Sequence, residues 1–137
     1  MPLSNDIRHG RHCVFALHVH LVFVTKYRRK VFDREALQRL QVMFERVCQG
    51  FAAHLVEMNG ESDHVHLLIH YPPKHSVSSM VNSLKGVSSR LLRIERPDIA
   101  KRYWNNALWS PSYFAASCGG APLNIVKQYV EQQKTPF

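Results

Sequence analysis

HLVEMNGESDHVHLLIHY, residues 54–71, is the stretch on which the fold turns. His54 to Asn59 is a short apolar-rich run. Gly60-Glu61-Ser62-Asp63 carries turn residues, and His64 to Tyr71 is a second apolar run closed by Pro72-Pro73. Two strand-like runs on so short a link predict an antiparallel hairpin. Upstream, Val14 to Thr25 (VFALHVHLVFVT) is rich in Val and Phe and reads as another strand. Between that strand and the hairpin, Asp33 can cap a helix from Arg34 to about Gln49. Its Leu37, Leu40, Met43, Phe44 and Val47 recur at helical spacing, and Gly50 suits its end. Downstream, Ser76 can cap a helix from about Val77 to Glu95, stopped by Arg96-Pro97-Asp98. Tyr113 to Ser117 is a weaker strand, Gly119-Gly120 breaks the chain, and Pro122 opens a last helix to about Lys134. The order β-α-β-β-α-β-α predicts an α+β fold. It is a ferredoxin-like (split βαβ) antiparallel sheet with helices on one face, plus a C-terminal helix.

The chain has 137 residues, which predicts one domain over 1–137, with 1–12 flexible and 121–134 forming the last helix. Lys plus Arg is 18 against 10 Asp plus Glu, a formal net charge of +8. Such a surplus on a small domain points to a polyanion, most simply nucleic acid. Cys13, Cys48 and Cys118 are odd in number and widely spaced, which suits buried free thiols and excludes a disulfide framework or thiolate zinc site. No apolar run approaches the ~20 residues that cross a bilayer. The N-terminus lacks a signal-peptide core, so the expected setting is cytoplasmic, away from any membrane.

His64-Val65-His66 is the sharpest chemical feature. In a strand, residues i and i+2 share a face, so two imidazoles side by side make half of a metal site. His18-Val19-His20 has the same form inside another predicted strand, and spacing alone does not choose between the pairs. The two pairs can even share one face of one sheet. His70 and His75 read as solvated. In the last helix Ile125, Val126, Tyr129 and Val130 form a stripe, with Gln133 one turn beyond Tyr129. A phenol can attack phosphorus when a metal polarises it, and the Gln133 amide oxygen can serve as a neutral ligand. On the helix alone, a core tyrosine beside a solvated glutamine is the plainer reading. Lys26, Arg28, Arg29 and Lys30 follow the first strand. Lys85, Arg90 and Arg93 lie on the second helix among Ser83, Ser88 and Ser89. Both sets suit phosphate contacts. Tyr27, Tyr103, Trp104 and Trp109 can stack on unpaired bases.

Together these features resemble one family, the HUH-type single-tyrosine transposases of small insertion sequences, with the REP-associated tyrosine transposases as close relatives. The matching stretches are KYRRKVF at 26–32, DHVHLLIH at 63–70, SLKGVSSRLLR at 83–93 and GGAPLNIVKQYVEQQ at 119–133. The resemblance implies that His64 and His66, rather than His18 and His20, hold a divalent metal, Mg²⁺ or Mn²⁺, with Gln133 as third ligand. It implies that Tyr129 is the nucleophile and that Lys85 to Arg90 is a DNA-binding helix segment. The implied substrate is single-stranded DNA marked by imperfect-palindrome hairpins. It is cleaved and rejoined through a 5′-phosphotyrosine, with no nucleotide cofactor. Relatives act as homodimers, which makes Gly119-Gly120 a hinge before the tyrosine helix. Apolar strand residues such as Val22, Phe23 and Val24 could then join sheets across the dimer. The alternatives are a ferredoxin-like module that holds single-stranded nucleic acid without cutting it, and a host-domesticated relative acting on repeated palindromes. An unrelated metal-dependent hydrolase of small molecules is a further one.

Overall fold

In a computed structural model the described residues are 8–10, 14–117 and 129–131. Two short strands, β1 (Arg8–His9) and β2 (Val14–Phe15), precede β3 (Leu17–Val24). A 3₁₀ turn (Lys26–Arg28) leads to α1 (Arg34–Gly50), β4 (His54–Gly60) and β5 (His64–Tyr71). The chain continues through α2 (Val77–Glu95), α3 (Pro97–Ala100) and β6 (Phe114–Ser117). The main sheet runs in the order β4-β5-β3-β6, and every neighbouring pair is antiparallel. This is the expected split βαβ order, with the second and third strands of the motif joined as a hairpin.

The local signals act as read. Asp33 Oδ1 accepts from the Ala36 amide at 2.9 Å and starts α1, and Ser76 Oγ does the same for Ser79 at 3.1 Å in α2. Val19, Leu21 and Phe23 of β3 and Val65, Leu67 and Ile69 of β5 form one side of the core. Leu40 and Phe44 of α1 and Met80, Leu84 and Leu92 of α2 form the other, so both long helices cover one sheet face. Burial of each large side chain contributes about 1.5–3 kcal/mol. Gly60 ends β4 against α1, where a Cβ would stand 2.6 Å from Leu37 Cδ2. The β4–β5 hairpin carries a bulge between Leu55 and Glu57.

Several expectations change. The strand expected from Val14 breaks at Ala16, and Phe15 and Val14 instead pair back onto Arg8 and His9, inside the segment 1–12 expected to be flexible. β3 is a central strand, bonded to β5 along its length and to β6 from Val19 to Val22. The Val22–Val24 run is therefore no free edge for joining a second sheet, and the outer strands are β4 and β6. Cys48 is a buried free thiol, as expected, and burial pushes its pKa up to about 12. Cys13, Cys118, Gly119, Gly120 and Gln133, and most of the expected last helix, lie outside the described residues.

Candidate metal and tyrosine site

The strand register decides how the histidines are grouped. Because β3 and β5 are antiparallel, His18 pairs with His70, Val22 with His66 and Val24 with His64. With Val19, Leu21 and Phe23 turned to the helices, the alternate residues His18 and His20 face the other way, as do His64, His66 and His70. Both His-x-His pairs thus share one face, and the first pair is split: His20 stands beside His66, ring centroids 5.5 Å apart, while His18 stands with His70. The His18 and His70 rings stack at 4.5 Å, with Phe15 5.9 Å from His70. His70 is only 3% exposed, against the expectation that it is solvated. The rings of His18, Phe15 and His54 surround it. His75 is half-buried, with its ring 5.0 Å from that of Phe51.

His64 and His66 stand at the other end of β5, their ring centroids 5.0 Å apart. Each has a partner on Nδ1. Asp63 Oδ1 lies 2.7 Å from His64 Nδ1, and His20 Nε2 lies 3.4 Å from His66 Nδ1. A ligating imidazole needs such an outer contact on one nitrogen to orient the other toward a cation. Burial, reinforced by His64 and His20, pushes His66 down to about 4, so it is neutral at pH 7. Two imidazoles on one strand face, each held at Nδ1, fit a divalent cation. Among the described residues no three His, Cys, Asp or Glu side chains form a metal-holding group. Gln133, the third ligand that the resemblance implies, lies outside the described residues.

Tyr129, Val130 and Glu131 are helical and lie on this same face. Val130 packs with Val22 and Val24, the residues paired with His66 and His64, and Tyr129 and Phe114 complete the cluster. The Tyr129 phenol is 2.9 Å from Ser112 Oγ. Burial raises its pKa above the ordinary value, and the Ser112 hydroxyl works the other way. Two residues on, Glu131 Oε1 accepts from Arg28 Nη1 at 2.8 Å. Arg28 Nε donates to Asp63 Oδ2 at 2.8 Å, and Asp63 in turn holds His64.

The residues expected to touch DNA divide sharply. Lys30 and Arg90 are exposed, and Lys26, Arg29 and Arg93 are half-buried. Arg29 lies over the rings of Tyr27 and Tyr103 at 5.4 and 5.2 Å. Arg93 Nε donates to Ser89 at 3.2 Å. Ser88 does not fit a DNA contact, being 0% exposed and accepting the Trp109 indole N–H at 3.0 Å. Trp109 is a core residue against Phe23 and Phe32, while Trp104 stands 85% exposed. The Lys85 ammonium is turned inward to the carbonyl oxygens of Ser110 and Ser112, and burial lowers its pKa to about 8. Asp63 and Ser112 escaped the sequence reading. Asp63 adjoins the histidine pair, which was a usable signal. Ser112 had none, because its contact with Tyr129 is tertiary.

A family model described as "Transposase IS200 like" matches residues 13–133. The ISDra2 transposase TnpA of Deinococcus radiodurans is 29% identical over 97% of this chain and 94% of its own. The transposase for insertion sequence element IS200 of Salmonella typhimurium is 32% identical over 84% of this chain and 78% of its own. A crystal structure of a Deinococcus radiodurans chain described as a transposase superposes with TM-score 0.82 at 30% identity, covering 92% of this chain and 97% of that one. A REP-associated tyrosine transposase bound to a REP hairpin shares the fold, with TM-score 0.56 at 14% identity over 90% of this chain and 68% of its own.

Proposed function

Because the chain belongs to the IS200-like transposase family, we propose that it cleaves and rejoins single-stranded DNA at hairpin-marked element ends, with Tyr129 as nucleophile. The observation that carries this reading is the packing of Val130 on Val22 and Val24, which seats Tyr129 on the sheet face of His64 and His66. His64, His66 and Gln133 would hold Mg²⁺ or Mn²⁺. When bound, the cation would polarise the scissile phosphate and offset the charge that develops on it. The Tyr129 oxygen, losing its proton, attacks phosphorus. A P–O bond forms as the bond to the 3′-oxygen breaks, and that oxygen leaves as a 3′-hydroxyl after taking a proton. The 5′-phosphotyrosine keeps the bond energy for rejoining, so no nucleotide cofactor enters. Asp63 and His20 keep the imidazoles oriented, and Ser112 holds the phenol.

Exposed Lys30 and Arg90, with Lys26, Arg29, Ser89 and Arg93 at the surface margin, supply the phosphate contacts. The hairpin partner follows the REP-hairpin complex of the fold relative. A homodimer is part of the same proposal, and light scattering at working concentration tests it, a monomer counting against it. Among the described residues no helix is long and apolar enough to cross a membrane.

The deciding experiment incubates the chain with labelled hairpin DNA from its own genomic flanks, with and without Mn²⁺ or Mg²⁺. A metal-dependent band that survives denaturant and vanishes in Tyr129→Phe is the expected result. Tight binding with no such band would replace this reading with a non-cleaving binding module.

A further inference from the structure

Arg28 was grouped with the phosphate-binding cations on sequence, yet its guanidinium is already engaged on two sides. Nε donates to Asp63 Oδ2 and Nη1 to Glu131 Oε1, both at 2.8 Å. Asp63 is 4% exposed, and its second oxygen holds His64 Nδ1 at 2.7 Å. One unbroken path of polar contacts therefore runs Glu131–Arg28–Asp63–His64. It joins the helix that carries Tyr129 to the strand that carries the histidine pair.

The backbone is shaped to the same end. Tyr27 and Arg28 are consecutive non-glycine residues in the left-handed region, at φ 61° and 55°. Such angles persist only where the surroundings over-determine them. Here the Arg28 amide donates to Thr25 O at 2.8 Å, the Thr25 amide donates to Asp63 O at 2.9 Å, and the Thr25 hydroxyl donates to Arg29 O at 2.7 Å. Lys26 and Arg29 lie on the Tyr27 ring from either side in sequence. The turn is thus tied to the residue before His64 through main chain and side chain alike. An arginine meant for DNA phosphate would not need this confinement.

We propose that Arg28 is a positioning residue that latches the Tyr129 helix to the His64 strand through Asp63, so that nucleophile and metal ligands are held in register. Arg is suited to this because its fork can serve two carboxylates at once, which a lysine point charge does less well. The inference rests on the transposase reading for its consequence in catalysis, but the latch is a physical contact that can be tested without cleavage.

The test uses the full chain in a Tyr129→Phe background, so that no adduct forms. Amide hydrogen exchange is followed for residues 129–131, and Mn²⁺ affinity is measured by calorimetry. Hairpin DNA affinity is measured across a salt series. Arg28→Ala should speed exchange at 129–131 and weaken Mn²⁺ binding, by about 10- to 100-fold if the outer contact of His64 slackens. Glu131→Gln, a change at an exposed carboxylate, should speed exchange at 129–131 and leave Mn²⁺ binding as it was. Asp63→Asn, which still accepts from His64 but loses the charge that holds Arg28, should speed exchange with a smaller loss of Mn²⁺ affinity. Arg28→Lys should restore part of what Arg28→Ala loses. The latch is wrong if both Arg28→Ala and Glu131→Gln leave exchange at 129–131 unchanged. It is also wrong if Arg28→Ala instead lowers DNA affinity and reduces the salt slope by about one phosphate's worth. A parent chain that binds no Mn²⁺ would count against the metal reading alone, with exchange still deciding the latch.

Discussion

The Lys85 ammonium donates to the carbonyl oxygen of Ser112 at 3.1 Å, and the hydroxyl of that same serine meets the Tyr129 phenol at 2.9 Å. A lysine on the helix-covered side of the molecule is thereby connected to the proposed nucleophile, Tyr129, on the other side. Lys85 also ties Ser110 at 2.6 Å, so it fixes the segment that leads into β6. Lys85→Met keeps the stem and removes the donor. It should slow cleavage of bound DNA by about 10- to 100-fold, the scale of a small misplacement of a reacting group. Hairpin affinity and its salt dependence should stay as they were. A fall in the salt slope with cleavage intact would return Lys85 to the phosphate-binding set.

Ser88 and Trp109 form a buried pair, the indole N–H donating to the hydroxyl at 3.0 Å. Ser88→Ala leaves that N–H without its acceptor, which costs about 1–3 kcal/mol. Thermal unfolding should show the loss as a lower Tm. DNA affinity measured well below Tm should not change, because a side chain with no exposure cannot touch a phosphate.

Trp104 presents the opposite case. It is 85% exposed, beside Tyr103 and the Arg29 that lies over that ring. Trp104→Ala should leave stability within about 0.5 kcal/mol. It should weaken binding of DNA with unpaired flanks by about 1–3 kcal/mol, the worth of one stacked base. Equal affinity for mutant and parent in a fluorescence titration would remove Trp104 from the interface.

Asp33 caps α1 and also receives the Arg96 fork at 2.9 and 2.8 Å. The Arg96 bonds, then the Ala36 amide, hold its carboxyl down at about 2. A carboxylate lowered in the folded state gives stability that is present above its unfolded pKa and lost as pH falls through the folded one. Acid titration should therefore show this contribution fading between about pH 4 and pH 2. The residue is largely exposed, so solvent screening keeps the effect small. Asp33→Asn keeps the cap and loses the pair, and should flatten the acid dependence in that window. An unchanged profile would mean that the pair contributes nothing measurable.

Much of this protein was legible in its residues. Asp33 and Ser76 start helices because capping is local, acting over three residues. The hairpin at 54–71 and the alternation of strands and helices followed from short-range periodicity, and the order of elements then left few ways to build the sheet. The family, and with it the roles expected of Tyr129, His64 and His66, was readable from residue types at fixed spacings.

Tertiary structure decided the rest, because burial and partners depend on residues far apart in the chain. Sequence could not say that β3 takes the centre of the sheet, which denies Val22–Val24 a free edge. Nor could it rank equal-looking cations and serines. Lys85 and Arg28 resembled Lys30 and Arg90 as letters, and Ser88 resembled Ser89, yet Lys85, Arg28 and Ser88 point into carbonyls, carboxylates and an indole. A charge or hydroxyl has no fixed role of its own. Its role follows from what desolvates it and what bonds to it, and here antiparallel pairing set that by bringing β3, β5 and residues 129–131 onto one face.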